Sequence, residues 1–336
     1  MKRKGNLYQD IISIENLQLA DSIARKGKGK QPGVIRHDKN RDANIIALHQ
    51  ALKDKTYKTS PYETRTIYEP KQRDISILPY IDRVVHHAVM IYLEPIFNAY
   101  FTSFSYSSIK GKGIHGAANA LKKALKDQEN TVYCLKLDVR KFYPNVNHDI
   151  LKQIIRRKIK DQDLLWLLDG IIDSAEGLPI GNYLSAYFAN LYLTPFDHFL
   201  KEDLLVKDCF RYADDLVILN GCKEYLRALL AHIICYFHDH LKLEVKNNCR
   251  IFPVRDGIDF VGYVFYHTHI LLRKSTKQNF ARMMARNPRP ASIAAYNGWA
   301  KHCNSRHLIK KLLHEQVQRF QHKHQNKELQ GRQDKN

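Results

Sequence analysis

"RYADDLVIL", Arg211 to Leu219, sets two adjacent aspartates between apolar, strand-like flanks. "CFRY" before the pair and "LVIL" after it read as two short strands joined at the aspartates. Side by side, Asp214 and Asp215 repel each other, and such a pair is stabilised by something positive. Upstream, "TVYCLKLDVRKFYPNV" reads as a strand ending at Asp138. If these strands pair in one antiparallel sheet, three carboxylates meet at one edge. That cluster is costly unless divalent metal neutralises it. Mg²⁺ takes carboxylate oxygens together with substrate phosphates. Two ions about 3.5–4 Å apart would clamp the attacking and leaving oxygens of a phosphoryl transfer. A solvated turn would account for "ADD" alone, since Asp is a common turn residue. It does not account for Tyr212, the apolar strands on both sides and the earlier strand-end Asp138.

The composition fits a polyanionic substrate. Among 336 residues, 54 Lys and Arg face 34 Asp and Glu, a formal net charge of +20. The stretch from Arg273 to Asn336 holds 15 Lys or Arg against Glu315, Glu328 and Asp334, and so supplies +12 of that excess. A clustered basic segment neutralises several phosphates together and releases several counterions, which points to nucleic acid before an anionic membrane. No run approaches the roughly 18 apolar residues of a membrane span. The basic start "MKRKGNLYQDIISIENL" lacks the apolar core of a secretory signal. The six cysteines (Cys134, Cys209, Cys222, Cys235, Cys249, Cys303) form no C-x-x-C pair. Neither a zinc site nor a disulfide framework is indicated, and reduced thiols in a cytoplasm fit.

Along the chain, "RKGKGKQPGVIRHDKNRD" (Arg25 to Asp42) reads as a mobile basic loop. "PYETRTIYEPKQRDISILP" reads as a hairpin, and "YIDRVVHHAVMIYLEPIFNAYF" as a strong amphipathic helix. "GIHGAANALKKALKD", "HDILKQIIRRKI", "DQDLLWLLDGII", "YLSAYFANLYLTPFDHFL" and "KEYLRALLAHIICYFHDHL" are further helices. "LEVKNNCRIFPV" and "GIDFVGYVFYHTHILLR" are short strands. The end from Lys274 is mostly helical, interrupted by "RNPRP", and "HQNKELQGRQDKN" reads as disordered.

"YADD" between apolar strands, "LKLDVRKFYPNV" upstream and "GLPIGNYLSAYFANLYL" between them resemble, in order and spacing, the successive palm motifs of the reverse transcriptases. The likeness runs from about Tyr62 to about Leu313. It implies an α+β right-hand fold: an N-terminal extension and fingers, with part of the palm, in 1–130, an antiparallel-sheet palm with the aspartates in 131–270, and a basic helical thumb with a disordered tail in 271–336. It implies that Asp138, Asp214, Asp215 and Val139 bind two Mg²⁺ ions, with Mn²⁺ a substitute. Tyr143 falls at the family's sugar gate, where a bulky ring would press on a ribose 2′-OH. Lys71 and Arg73 fall where the fingers hold the incoming triphosphate; Arg offers a planar fork and Lys a point charge. Lys246 would protonate the leaving pyrophosphate, and "DFVGYVFY" resembles the hairpin that grips the primer end. Lys274, Lys277, Arg282 and Arg286 would track a phosphate backbone, with Tyr296 and Trp299 packing the thumb.

Gly177 and Gly181 permit close backbone approach to a nucleotide or template base. Ile180 and Gly181 belong to the nucleotide pocket, and Ile180 stands where many reverse transcriptases carry Gln. "IGNxxS" is most similar to the enzymes of diversity-generating retroelements, bacterial or phage systems that copy a template RNA with errors at adenines. That subgroup's Gln after Ser185 is Ala186 here. The resemblance implies dNTPs, a template RNA and its cDNA as partners. It also implies a small, basic, oligomeric accessory protein, docking at the N-terminal basic loop and the thumb. Two other readings stay open. One is a reverse transcriptase of another bacterial class, such as a group II intron, retron or phage-defence enzyme. The other is a non-catalytic RNA-binding scaffold, against which the intact aspartate set argues.

Overall fold

In the computed structural model of the protein all residues are described except 1, 69–71, 287–288, 306, 309, 313 and 315–336. Lys71 and the segment 324–336, expected to bind triphosphate and to be disordered respectively, lie outside the described residues. Helices α1 (Tyr8–Ile12), α2 (Ile14–Ala24), α3 (Pro32–Asp38) and α4 (Arg41–Lys53) precede a hairpin of β1 (Glu63–Ile67) and β2 (Arg73–Ile77). Next come α5 (Tyr80–Asn98), α6 (Gly113–Ala124), β3 (Tyr133–Asp138), α7 (His148–Arg156), α8 (Gln162–Ile172) and α9 (Tyr183–His198). β4 (Asp208–Tyr212) and β5 (Asp215–Asn220) are followed by α10 (Lys223–Leu241), β6 (Arg250–Pro253), β7 (Ile258–Phe260), β8 (Tyr263–Phe265) and β9 (Ile270–Leu272). α11 (Lys274–Arg286) and α12 (Pro290–Ala300) follow. The sheets have the orders β1-β2, β4-β5-β3-β6 and β7-β8-β9.

The backbone divides into two compact units, 1–110 with 137–216 and 229–249, and 111–136 with 217–228 and 250–336. In the first, α5 and α9 form the centre. Val84, Val85, Ala88, Val89 and Leu93 of α5 and Leu191, Tyr192, Leu193 and Phe196 of α9 are buried. Their apolar positions recur at helical spacing, so burial follows from the sequence pattern.

The basic stretch 25–42 is not the mobile loop expected from its composition. Pro32 opens α3, where its fixed φ and missing N–H cost nothing, and Val34 and His37 of that helix are buried. Its cations answer a fully buried acid. Asp21 accepts from Arg25 at 2.8 Å, Arg41 at 2.7 Å and the Tyr80 hydroxyl at 2.7 Å. Arg25 also pairs with Asp38 at 2.7 Å. A buried carboxylate without these partners would cost several kcal/mol, so two cations of the run are structural.

The second unit contains the expected thumb segment. Phe280, Met284 and Leu312 form its core, with Ile293, Tyr296 and Leu308 packed against them. Tyr296 stacks on Phe280 at 4.5 Å. Trp299 lies against Tyr263 at 5.4 Å, over Gly262, where a Cβ would meet the indole at 2.1 Å. Val261 and Gly262 both have positive φ, the signature of a two-residue hairpin turn between β7 and β8.

Candidate active site

Asp138 ends β3, and its neighbour β5 opens with Asp215. Beyond Asp138 the strand continues as a narrow ladder. Lys246 N–H donates to the Asp138 carbonyl at 2.9 Å, Arg140 N–H donates to the Glu244 carbonyl at 2.8 Å, and Val139 faces Val245. In this register Val139's own carbonyl faces away from 245, and it is the only metal-binding atom that residue offers.

Asp214 sits in the turn between β4 and β5, after Ala213 in the left-handed region at φ 55°. A non-glycine residue there costs roughly 1–2 kcal/mol. The turn brings Asp214 against Asp138. Burial, and then the adjoining Asp138 carboxylate, push the Asp214 pKa up to about 7. Asp138 Oδ1 is buried without a hydrogen-bond partner, while Oδ2 accepts from Lys246 Nζ. Two carboxylates thus meet at one point, with the Lys246 ammonium on one oxygen of Asp138, a donor set suited to a hard divalent cation. Asp215 adjoins this pair in sequence. Among the described residues, no group of three or more His, Cys, Asp and Glu side chains is arranged to hold a metal. The close pair is Asp138 with Asp214. Mg²⁺ typically uses one or two carboxylates and leaves its other positions to water and substrate phosphate.

Tyr143 is half-buried near both Asp214 and Arg73. Burial first, then Asp214, raise its pKa, and Arg73 opposes them. Lys246, expected at the leaving group, is paired with Asp138. At Gly177 and Gly181 the chain packs closely against itself. A Cβ on Gly177 would lie 2.5 Å from the Tyr143 carbonyl, and one on Gly181 2.8 Å from Ile75 Cγ2. Ser76 N–H closes the second seam by donating to the Ile180 carbonyl at 2.8 Å. Ile180 and Gly181 line a cavity of about 670 Å³ with Ile75, Tyr143, Tyr183 and Ala186. Lys274, Lys277, Arg282 and Arg286 are all exposed on α11. At 3.6 residues per turn, Lys274, Arg282 and Arg286 fall within about 120° and Lys277 lies to the other side of Lys274.

One residue was not anticipated. Arg211 is completely buried. Its guanidinium donates to Asp197 Oδ1 at 2.7 Å and Oδ2 at 2.5 Å, to Asn190 Oδ1 at 3.1 Å, to the Ala213 carbonyl at 3.1 Å, and to Ser105 Oγ. It ties the aspartate turn to α9. The sequence signal was an Arg inside an apolar strand, and an Asp inside the apolar helix "YLSAYFANLYLTPFDHFL". Buried opposite charges of this kind pair.

Residues 58–265 match the family described as Reverse transcriptase (RNA-dependent DNA polymerase). Protein YkfC of Escherichia coli strain K12 is 27% identical over 341 residues, covering 85% of this chain and 88% of YkfC. The group II intron-encoded protein LtrA of Lactococcus lactis subsp. cremoris is 27% identical over 175 residues, 48% of this chain but only 29% of LtrA. Among solved structures, telomerase from Candida tropicalis in complex with a TWJ fragment of telomeric RNA superimposes with a TM-score of 0.51 at 13% identity. That likeness covers 85% of this chain and 58% of the telomerase chain, and concerns the fold. The α+β architecture is therefore the right-hand polymerase fold expected from the motifs. With 58–265 matched and the polymerase fold in place around the aspartate turn, the chain belongs to the reverse transcriptase family.

Proposed function

We propose that this RNA-directed DNA polymerase extends a DNA primer along an RNA template at the Asp138–Asp214 pair. The observation that carries the reading is the convergence of two carboxylates, one at the end of β3 and one in the β4–β5 turn, the second raised to about 7 and the first with a buried oxygen that makes no hydrogen bond. Asp138, Asp214 and the Val139 carbonyl would hold divalent cations, with Asp215 in support. Bound there, such ions supply the positive charge that activates the primer 3′-OH and carries the leaving pyrophosphate. Arg73 would hold the triphosphate. Tyr143 would close the space beside the sugar, so that a 2′-OH does not fit. Lys246 balances Asp138 and competes with the cation for the same carboxylate.

The exposed cations of α11 would bind the RNA–DNA hybrid through its phosphates. Replacing Lys274, Lys277, Arg282 and Arg286 together by Ala should lower hybrid affinity at least about ten-fold at low salt. It should also flatten the plot of log K against log salt by roughly three, since each phosphate contact contributes about 0.7–0.9 to the slope. Filter binding across a salt series measures both.

The intron-encoded relatives favour a group II intron-like class. A second reading, the mutagenic polymerase of a diversity-generating retroelement with its small basic accessory protein, is favoured by one observation. Ile180, which brings no polar group to the nucleotide, lines the cavity with Tyr143 and Ala186. On that reading Ile180→Gln lowers misincorporation opposite template adenines several-fold, as read by sequencing cDNA made on a defined RNA. Equal error spectra would favour the intron-like class.

A further inference from the structure

Two stretches of the first unit, 143–152 and 173–178, are joined by one side chain. His148 opens α7 directly after Asn147, whose side chain caps the helix by accepting from the Ile150 N–H at 3.1 Å. The imidazole reaches back to the segment after α8. Its Nε2 lies 2.8 Å from the Gly177 carbonyl and its Nδ1 3.2 Å from Asp173 Oδ1. A carbonyl oxygen only accepts, so Nε2 carries the proton on that side. Asp173 also accepts from Lys152 Nζ at 2.6 Å, one turn further along α7. Burial pushes the Asp173 carboxyl up, but the bond and charge of Lys152, and then those of His148, outweigh it and hold the group below the usual carboxylate range. Asp173 is therefore a carboxylate, and it fixes the imidazole plane from the second ring nitrogen.

The carbonyl that His148 holds belongs to the Gly177–Leu178 peptide. The N–H of that same peptide donates to the Tyr143 carbonyl at 2.8 Å. In a planar trans peptide the C=O and N–H point in opposite directions. One rigid plate is thus held by His148 on one side and holds Tyr143 on the other. The fit is tight: Gly177 has φ 57°, and a Cβ on it would lie 2.5 Å from the Tyr143 and the Pro144 carbonyl oxygens. Glycine itself sets little preference between conformations, so the orientation of the plate depends on its two hydrogen bonds. Tyr143 begins a single helical turn, Tyr143–Asn145, and its ring stands near Asp214 and Arg73. Where the backbone of that turn sits decides where the ring sits.

We propose that His148 is a positioning residue for Tyr143: by orienting the Gly177–Leu178 peptide it sets how closely the ring approaches the sugar, and so how strongly a ribonucleotide is excluded. The inference rests on the polymerase reading and on the place given to Tyr143 beside the sugar, and adds the residue that holds Tyr143 there. His148 acts through one peptide and not by contact with the nucleotide.

The test measures kcat/KM for a dNTP and the matching rNTP on one primer–template, together with hydrogen exchange at the Leu178 amide, which needs no catalysis. His148→Leu removes both ring donors. It should lower the preference for dNTP at least about ten-fold, the scale on which a small change in a pocket wall shows. The change should come mainly from a lower KM for rNTP, with kcat for dNTP little altered, and exchange at Leu178 should speed up. His148→Gln, whose amide N–H reaches about as far as imidazole Nε2, should restore most of both. Lys152→Ala takes a bond from Asp173 but none from Gly177 and should leave selection unchanged. Tyr143→Ala should lose the preference, and adding His148→Leu to it should lower the preference no further, because coupled residues do not add. Wild-type selection or wild-type exchange in His148→Leu would overturn the assignment. A loss in Lys152→Ala equal to that in His148→Leu, or a further loss on top of Tyr143→Ala, would do the same. If Tyr143→Ala keeps full selection while exchange at Leu178 responds to His148 as described, the sugar role of Tyr143 fails and the link from His148 to the Tyr143 backbone stands.

Discussion

Asp214→Ala and Asp138→Ala each reduce primer extension by at least about a thousand-fold while the chain still binds an RNA–DNA hybrid. Losing one preorganised contact to developing charge already costs about 10²–10³ in an enclosed site. Here the lost group would hold the cation itself, so a larger effect is expected. On the proposed reading binding survives because other surfaces would carry it, chiefly the exposed cations of α11. Single-nucleotide incorporation and a gel shift on the same preparations check both halves. Extension at the wild-type rate by either variant would remove the pair from the mechanism.

The same pair predicts a stability signature that a dead scaffold would lack only if its acids were apart. Asp214 is raised to about 7 in the folded chain and would titrate near 3.9 when unfolded. Between those values the folded state binds more protons, so its stability falls as pH rises. The contribution is fully present below about 4 and is lost through about 7. In EDTA, thermal denaturation should therefore show a declining midpoint over that window, and Asp214→Asn should flatten it. Adding Mg²⁺ should restore wild-type stability at pH 8 but not that of Asp214→Asn, because a ligand that binds only the native state stabilises it.

Local pattern carried the aspartate turn and the main helices. "YADD" is bracketed by apolar runs too short for helices, and the α5 and α9 segments repeat apolar residues at the helical period, so each element was legible within its own window. What the sequence concealed depends on partners far away. The Gly-rich cationic run 25–42 has loop composition, yet Asp21, Tyr80 and Asp38 fix it. Nothing inside the run announces that acid, since a single Asp in α2 reads as a surface residue. His86 and His87 were visible as a pair in an amphipathic helix. That one is wholly buried and the other backs Tyr183 follows only once α5 is set against the start of α9. Lys246 was singled out by the family resemblance, and its contact with Asp138 follows only from the ladder that sets 246 beside 138.

Arg211→Ala lowers the stability of the whole chain by about 3–5 kcal/mol, because it leaves Asp197 buried and uncompensated. The loss should appear as a fall in melting temperature on the order of 10 °C. That result alone would not separate a structural ion pair from one that serves the active site. The double variant Arg211→Met, Asp197→Leu does so. Replacing a buried ion pair by apolar side chains of similar volume is often neutral or stabilising, so its melting temperature should return close to wild type. Its polymerase rate should not. In the wild type the guanidinium clamps the Ala213 carbonyl at 3.1 Å, one residue before Asp214 and at the residue held in the left-handed region. Met cannot make that bond, and Ala213 is then free to relax toward an ordinary φ, carrying Asp214 away from Asp138. A misplacement near 1 Å costs about a hundred-fold in rate when it touches the reacting geometry. We therefore expect kcat to fall by about that factor with dNTP KM little changed, and the requirement for Mg²⁺ to shift to higher concentration. Recovery of both stability and kcat in the double variant would reduce Arg211 to a filler of the core.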